Sequence, residues 1–308
     1  MSRIFVARDH AVLTPEAQRL VDEAHAAFLA LRHDASEELF PPRPLVGRCR
    51  ICGDQRPLTR EHIPPGSAYN LERGRVHTII DWLRRAADGV MPGGILRQGG
   101  NWGYTLCESC NNLTGARYAD EYRELAMTVV RMFAGMNVRE LEVQREQPIA
   151  RFAMHGGAEH AGPRPGAFVR EILALMCSLS ADFDLAGRYP AIRRLIPGPS
   201  IEALPEGMSL GMTVYLGGHP RYVGPTLTLE PHAGVWRYVM EVAHPPIASL
   251  MVLATNGPVP HVCDLSAFAQ IAPDAHAPIE GRVAIGFGYT PMPGDYRTRA
   301  MVEAEVTA

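Results

Sequence analysis

Apolar residues first repeat at helical spacing near the start of the chain. Ala17, Leu20, Val21, Ala24, Phe28 and Leu31 share one face, behind Thr14 as N-cap and Pro15 at the first helical position. This predicts a helix ending near residues 32–36. The stretch HTIIDWLRRAADG, residues 77–89, predicts a short amphipathic helix. NNLTGARYADEYRELAMTVVRMFAGM, from residue 111, predicts one or two more, and AFVREILALMCSLS, from residue 167, another. Beyond it the period changes. MTVYLGG, TLTLE, VWRYVMEVA, IASLMVLAT and VAIGFGYT are strand-like, several with apolar–polar alternation and Gly/Pro punctuation between them. The pattern predicts an α+β fold, with a mostly antiparallel sheet packed on helices in the second half.

Punctuation sets the expected borders. PPRP at residues 41–44 reads as a linker, and residues 138–167, with HGGAEHAGPRPG, read as irregular. The expected division is a helical segment over 1–40, a module over 41–137, a linker over 138–167 and an α+β domain over 168–308. His155 and His160 fall in the irregular stretch. The other histidines of the second half show no ligand spacing.

Composition narrows the class. The chain has 308 residues, 46% of them hydrophobic, and a net charge of -3, which excludes a disordered polyelectrolyte. All 30 basic positions are arginine, so any phosphate contact would be a guanidinium fork. Residues 41–120 hold 11 Arg against 7 acidic residues, a surplus of 4, whereas residues 151–308 hold 11 against 14. The local surplus points to an anionic partner for the first module. The start, MSRIFVARDH, carries charges where a signal peptide has its apolar core, and the longest apolar runs are too short to span a bilayer. A cytoplasmic location with reduced cysteines is expected, with no membrane partner.

Four of the six cysteines form two C-x-x-C pairs, Cys49/Cys52 and Cys107/Cys110. Two such pairs in a reduced chain are the pattern of a closed tetrahedral zinc site, in which the ion staples rather than catalyses. Gly53 stands where the first knuckle needs a tight turn. Cys177 and Cys263 lie in apolar stretches and read as buried hydrophobes. The staple encloses LTREHIPPGSAYN, residues 58–70, so its Glu61–His62 pair lies inside a clamped loop.

The order C-x-x-C, then TREHIPP, then LCESCNN resembles the HNH endonuclease superfamily in its zinc-stapled form. The matching pieces are Cys49, Cys52, Glu61, His62, Pro65, Cys107, Cys110, Asn111 and Asn112, and the match spans roughly a quarter of the chain. The resemblance implies a ββα-metal unit of two strands and a helix. It implies His62 as the general base that activates water. It implies Glu61, with Asn111 or Asn112, as ligands of a catalytic Mg²⁺ or Mn²⁺, and the four cysteines as ligands of structural Zn²⁺. Many members carry His where this chain has Asn111. The family's middle Asn is matched only by Asn101, about one residue out of register.

The chemistry suits the residue types. Imidazole titrates near neutral pH and can take a proton from water, and a divalent ion stabilises the departing oxygen. Strand neighbours point to opposite faces, so Glu61 and His62 reach one ion only through a twist, a bulge or the strand's end. Arg48, Arg50, Arg56, Arg60, Arg73 and Arg75 are candidate phosphate clamps. Trp102 and Tyr104 are candidates for base stacking or for packing on the knuckle. The expected function is hydrolysis of nucleic acid, with DNA as the partner, in a setting such as restriction or phage defence. A second reading is a catalytically inactive zinc-knuckle module that binds nucleic acid or protein. A third puts the chemistry in the second half, where no motif supports it. That half is left with substrate recognition, oligomerisation or binding of a regulator.

Overall fold

The computed structural model describes residues 40–41, 43–76, 95–133, 149–155, 162–215, 220–230, 235–253 and 262–286. The helices expected at 14–36 and 77–89 lie outside them. All described residues belong to the compact unit Leu39–Ala308.

The first module is a short antiparallel sheet followed by a helix. Strands β1 (Val46–Arg48), β2 (Gln55–His62) and β5 (Trp102–Cys107) pair in the order β1-β2-β5. A separate two-stranded ribbon, β3 (Gly74–Val76) with β4 (Ile95–Arg97), lies in the excursion between β2 and β5. Helix α1 (Glu108–Arg117) starts immediately after β5, and α2 (Ala119–Phe133) follows. α2 is amphipathic, burying Tyr122, Leu125, Ala126 and Val129, the three- and four-residue spacing of one helix face.

The second half is a seven-stranded sheet. β6 (Ile149–Met154), β7 (Met208–Tyr215), β8 (Arg221–Glu230), β9 (Val235–His244), β10 (Ile247–Leu253) and β12 (Ile279–Gly286) run in the order β6-β12-β7-β10-β9-β8, and β11 (Cys263–Asp264) pairs with β7. All pairings are antiparallel except β12 with β7. β10 is apolar but for Ser249 and buried at every position, as a strand with neighbours on both edges and cover on both faces must be. The β8–β9 register shifts between Val223 and Thr226, where Pro225 has no N–H to give the ladder. The α+β class holds. The irregular stretch expected over 138–167 contains a strand, β6, whose six residues IARFAM were too few to declare an alternation.

Between the two parts lies α3 (Pro165–Leu179), every residue of which is buried. Its sequence is apolar on all sides save two adjacent charges, Arg170 and Glu171, and Ser178, the composition of a core helix. Arg170 donates to the carbonyls of Gly166, Leu195, Ser200 and Ile271 and so ties three segments to the helix. After α3 come the short helices α4 (Leu185–Arg188) and α5 (Pro190–Leu195). One continuous core holds Cys49, Leu58 and Leu106 of the first module, Phe168, Leu173 and Cys177 of α3, and Met212, Met240 and Cys263 of the sheet. The parts assigned to separate domains on either side of 138–167 therefore share one interior. Among the described residues no helix is long and apolar enough to cross a membrane.

Candidate metal centre and the histidine face

The four paired cysteines meet. Their sulfurs lie within 4.8 Å of one another, and Cys52 Sγ is 3.9 Å from Cys107 Sγ. A tetrahedral site with Zn–S bonds of about 2.3 Å has sulfurs about 3.8 Å apart, so the cluster has the dimensions of a site for a metal such as zinc. The first knuckle closes through Gly53 N–H to the Cys49 carbonyl at 2.8 Å and Cys49 N–H to the Asp54 carbonyl at 2.9 Å. Gly53 has φ +81°, a conformation that favours glycine. The second pair is set by the β5–α1 junction, Cys107 ending the strand and Cys110 lying in the first helical turn. The Cys107 N–H points at Cys49 Sγ, 3.3 Å away. Cys49 is held down at about 4, first by the hydrogen bond from the Cys110 thiol. Cys110, as donor, is pushed up, and burial pushes Cys52 up to about 11. Cys177 and Cys263 are buried, as their apolar surroundings imply.

Glu61 and His62 point to opposite faces. The one irregularity in the β2–β5 pairing falls between Thr59 and Arg60, and it breaks the alternation that starts at buried Leu58, so that Arg60 is exposed and Glu61 buried. Glu61 is 7% exposed and accepts hydrogen bonds from Thr105 Oγ at 2.6 Å and from Ser178 Oγ of α3 at 2.8 Å. Burial pushes its carboxyl up to about 7 against those two hydroxyls. The expected carboxylate ligand of the divalent ion is thus an interior residue, placed there by the break in alternation after Thr59.

His62 is half-buried at the end of β2, with Nε2 2.9 Å from the Gly99 carbonyl. A carbonyl only accepts, so Nε2 carries the proton and Nδ1 of the neutral ring is the basic nitrogen. Burial holds the His62 pKa below the ordinary histidine value, Arg60 lowers it further, and the Gly99 bond opposes both. The Gly99 loop is itself anchored by Asn70, a residue the sequence did not single out. Buried Asn70 donates to the carbonyls of Pro64 at 2.7 Å and Asn101 at 2.9 Å and accepts from Asn101 N–H at 2.7 Å. Gly100, φ +82°, lies so close that a Cβ would sit 2.0 Å from the Asn70 carbonyl oxygen.

The expected helix residues separate. Asn111 donates to Thr59 Oγ at 3.0 Å and to the Arg60 carbonyl at 2.9 Å, which seats α1 on β2. Asn112 is exposed. Asn101 is buried, and its backbone, not its side-chain amide, makes the hydrogen bonds to Asn70.

The arginines divide as well. Arg60 lies 4.4 Å from the Trp102 ring centre and Arg97 4.7 Å from it, and His62 pairs with Trp102 across the strands. Arg60 and His62 are two apart on β2 and share its outward face. Arg73 is exposed, and the side chain of Arg75 lies outside the description. Arg48 pairs with Asp184 at 2.7 Å, and Arg50 donates to the Ser178 carbonyl at the end of α3. Arg56 pairs with Asp54 at 2.9 Å. Arg48 and Arg50, expected to clamp phosphates, turn toward the helices instead.

No family model, no curated protein sequence and no solved structure matches this chain. The functional reading therefore rests on the residues and geometry above.

Proposed function

We propose that this chain is a metal-dependent endonuclease of the HNH type, cutting DNA, with its β2–β5–α1 unit stapled by Zn²⁺ on Cys49, Cys52, Cys107 and Cys110. The observation that carries the reading is His62. Its ring is fixed by a backbone carbonyl, its basic nitrogen is defined, and it shares the outward face of β2 with an arginine, on a strand paired with the one that ends in Cys107. A structural imidazole in a core has no need of this arrangement.

His62 Nδ1 takes a proton from water as that water attacks phosphorus. Its depressed pKa keeps the acceptor form populated at neutral pH. Arg60, braced on Trp102, holds a phosphate oxygen. Mg²⁺ or Mn²⁺, when bound, neutralises charge on the departing oxygen. Such ions accept neutral oxygens, water and substrate phosphate alongside few protein ligands, and Asn111 and Asn112 lie where α1 meets β2. Glu61 does not fit that ligand set. Its proposed part is to fix β2 against β5 and α3.

Incubation of supercoiled plasmid with purified protein and Mg²⁺, Mn²⁺ or EDTA tests the reading. Nicking that needs the added ion supports it. Retained gel-shift binding without nicking under any ion would favour the inactive binding module.

A further inference from the structure

Directly after the histidine, the loop at 63–71 turns two large apolar side chains outward. Tyr69 is 48% exposed and Leu71 60% exposed. Between and before them Asn70 and Ala68 are buried at 2% and 1%. The loop is firmly held, Ala68 by its N–H to the Pro65 carbonyl at 2.9 Å and Asn70 by its bonds to Pro64 and Asn101. Tyr69 has φ +67°, a left-handed conformation that is costly for a bulky residue and persists only where surrounding contacts impose it. Leu71 is close to the imidazole. A Cβ on Gly66 would lie 3.0 Å from Leu71 Cδ2 and 3.6 Å from His62 Cγ.

Two exposed apolar side chains on a pinned loop have no role in the core. Exposed Glu72 and Arg73 follow them with offsetting charges, and Arg60 lies on the His62 face, so Arg60 is the cation beside the loop that a phosphate can meet. Proteins that open a base step present such a combination: a rigid protruding apolar wedge beside arginines on the backbone. Single-strand binders use concave grooves instead.

We propose that Tyr69 and Leu71 form a wedge that enters a duplex DNA base step next to the bond His62 attacks. Tyr69 stacks on the exposed base and Leu71 fills the gap. The inference rests on the nuclease reading, and its test separates the two. The full-length zinc-loaded protein carrying His62→Ala is mixed with mixed-sequence duplexes that hold 2-aminopurine at successive positions, and with the same strands unpaired. The wedge predicts a rise in 2-aminopurine fluorescence on binding to the duplex, at one position relative to the bound site. Adding Tyr69→Gly with Leu71→Ala removes the rise and weakens duplex binding about five-fold or more, the low end of a base-stacking contribution. The salt dependence stays the same, because phosphate contacts remain. Tyr69→Phe restores the signal. Glycine suits a positive φ, so the melting temperature of the Tyr69→Gly protein is expected to be equal or higher, which separates lost contact from lost fold. Duplex binding without a fluorescence change, equal affinity of the wedge variant, or preference for the unpaired strand overturns the wedge. If the wild type still nicks plasmid, the nuclease reading survives that outcome. Failure to bind or cut any duplex overturns both.

Discussion

Glu61 and His62 are adjacent in sequence and belong to different environments. Strand alternation sends the imidazole outward and the carboxyl into a buried polar cluster with Thr105, Ser178 and, within electrostatic reach, Glu171 of α3. Burial pushes Glu171 up to about 8, and nearby Glu61 adds to the rise. A buried carboxyl whose folded pKa exceeds its unfolded value favours the protonated folded state. Its stabilising contribution is complete below about pH 4.5 and is lost as pH climbs through about 8. Chemical denaturation between pH 5 and pH 9 should therefore show stability falling with pH. Glu171→Gln should reduce that fall, leaving the part that belongs to Glu61. About 1 kcal/mol moves the Tm of a domain this size by about 2–4 °C, so the difference is measurable. An unchanged pH slope in the variant would place the titrating group elsewhere. His62 predicts a different profile: cleavage should persist to lower pH than an ordinary histidine allows, because its pKa is depressed.

At the scale of elements, the cysteine cluster joins the start of β2 to the β5–α1 junction, and Asn111 seats α1 on β2. Metal analysis of the purified chain should find one zinc. A strong chelator, or Cys107→Ser, should remove it and lower the Tm well beyond the effect of an ordinary surface change, since structural zinc sites contribute folding energy directly. Retention of full stability without metal would mean that the cluster is not a staple. Much of this element level was legible in the sequence. Two C-x-x-C pairs carry their spacing with them, the α3 helix and the main strands of the sheet show their periods, and Cys177 and Cys263 show their burial by their neighbours. The direction of Glu61 was not legible, because one bulge decides it and a bulge has no sequence signature here. Asn70 was missed because an asparagine in a turn does not announce which carbonyls it will bind. β6 was missed because its six residues sit among glycines, prolines and histidines.

For the whole molecule, the stapled module and the large sheet share one core through α3, so disturbance at one side reaches the other. Arg50, bonded to the carboxyl end of α3, and Arg60, stacked on Trp102, give opposite predictions. Arg50→Ala should lower thermal stability, by about 1.5–3 kcal/mol for a lost bond to a charged donor, with little change in the salt dependence of DNA binding. Arg60→Ala should leave stability within about 0.5 kcal/mol and reduce the salt slope by about one phosphate contact. Exchange of the two phenotypes would reverse the division of arginines between scaffold and ligand. Composition shows a local surplus of arginine but not which side chains are already engaged.

The most direct measurement compares plasmid nicking by the wild type and by His62→Ala at equal zinc content and matched Tm. Ion-dependent nicking is expected of the wild type, and a loss of about 10²-fold or more of the variant, the usual contribution of a general base. Equal rates from the two proteins would contradict that expectation, because the activity would then not pass through His62.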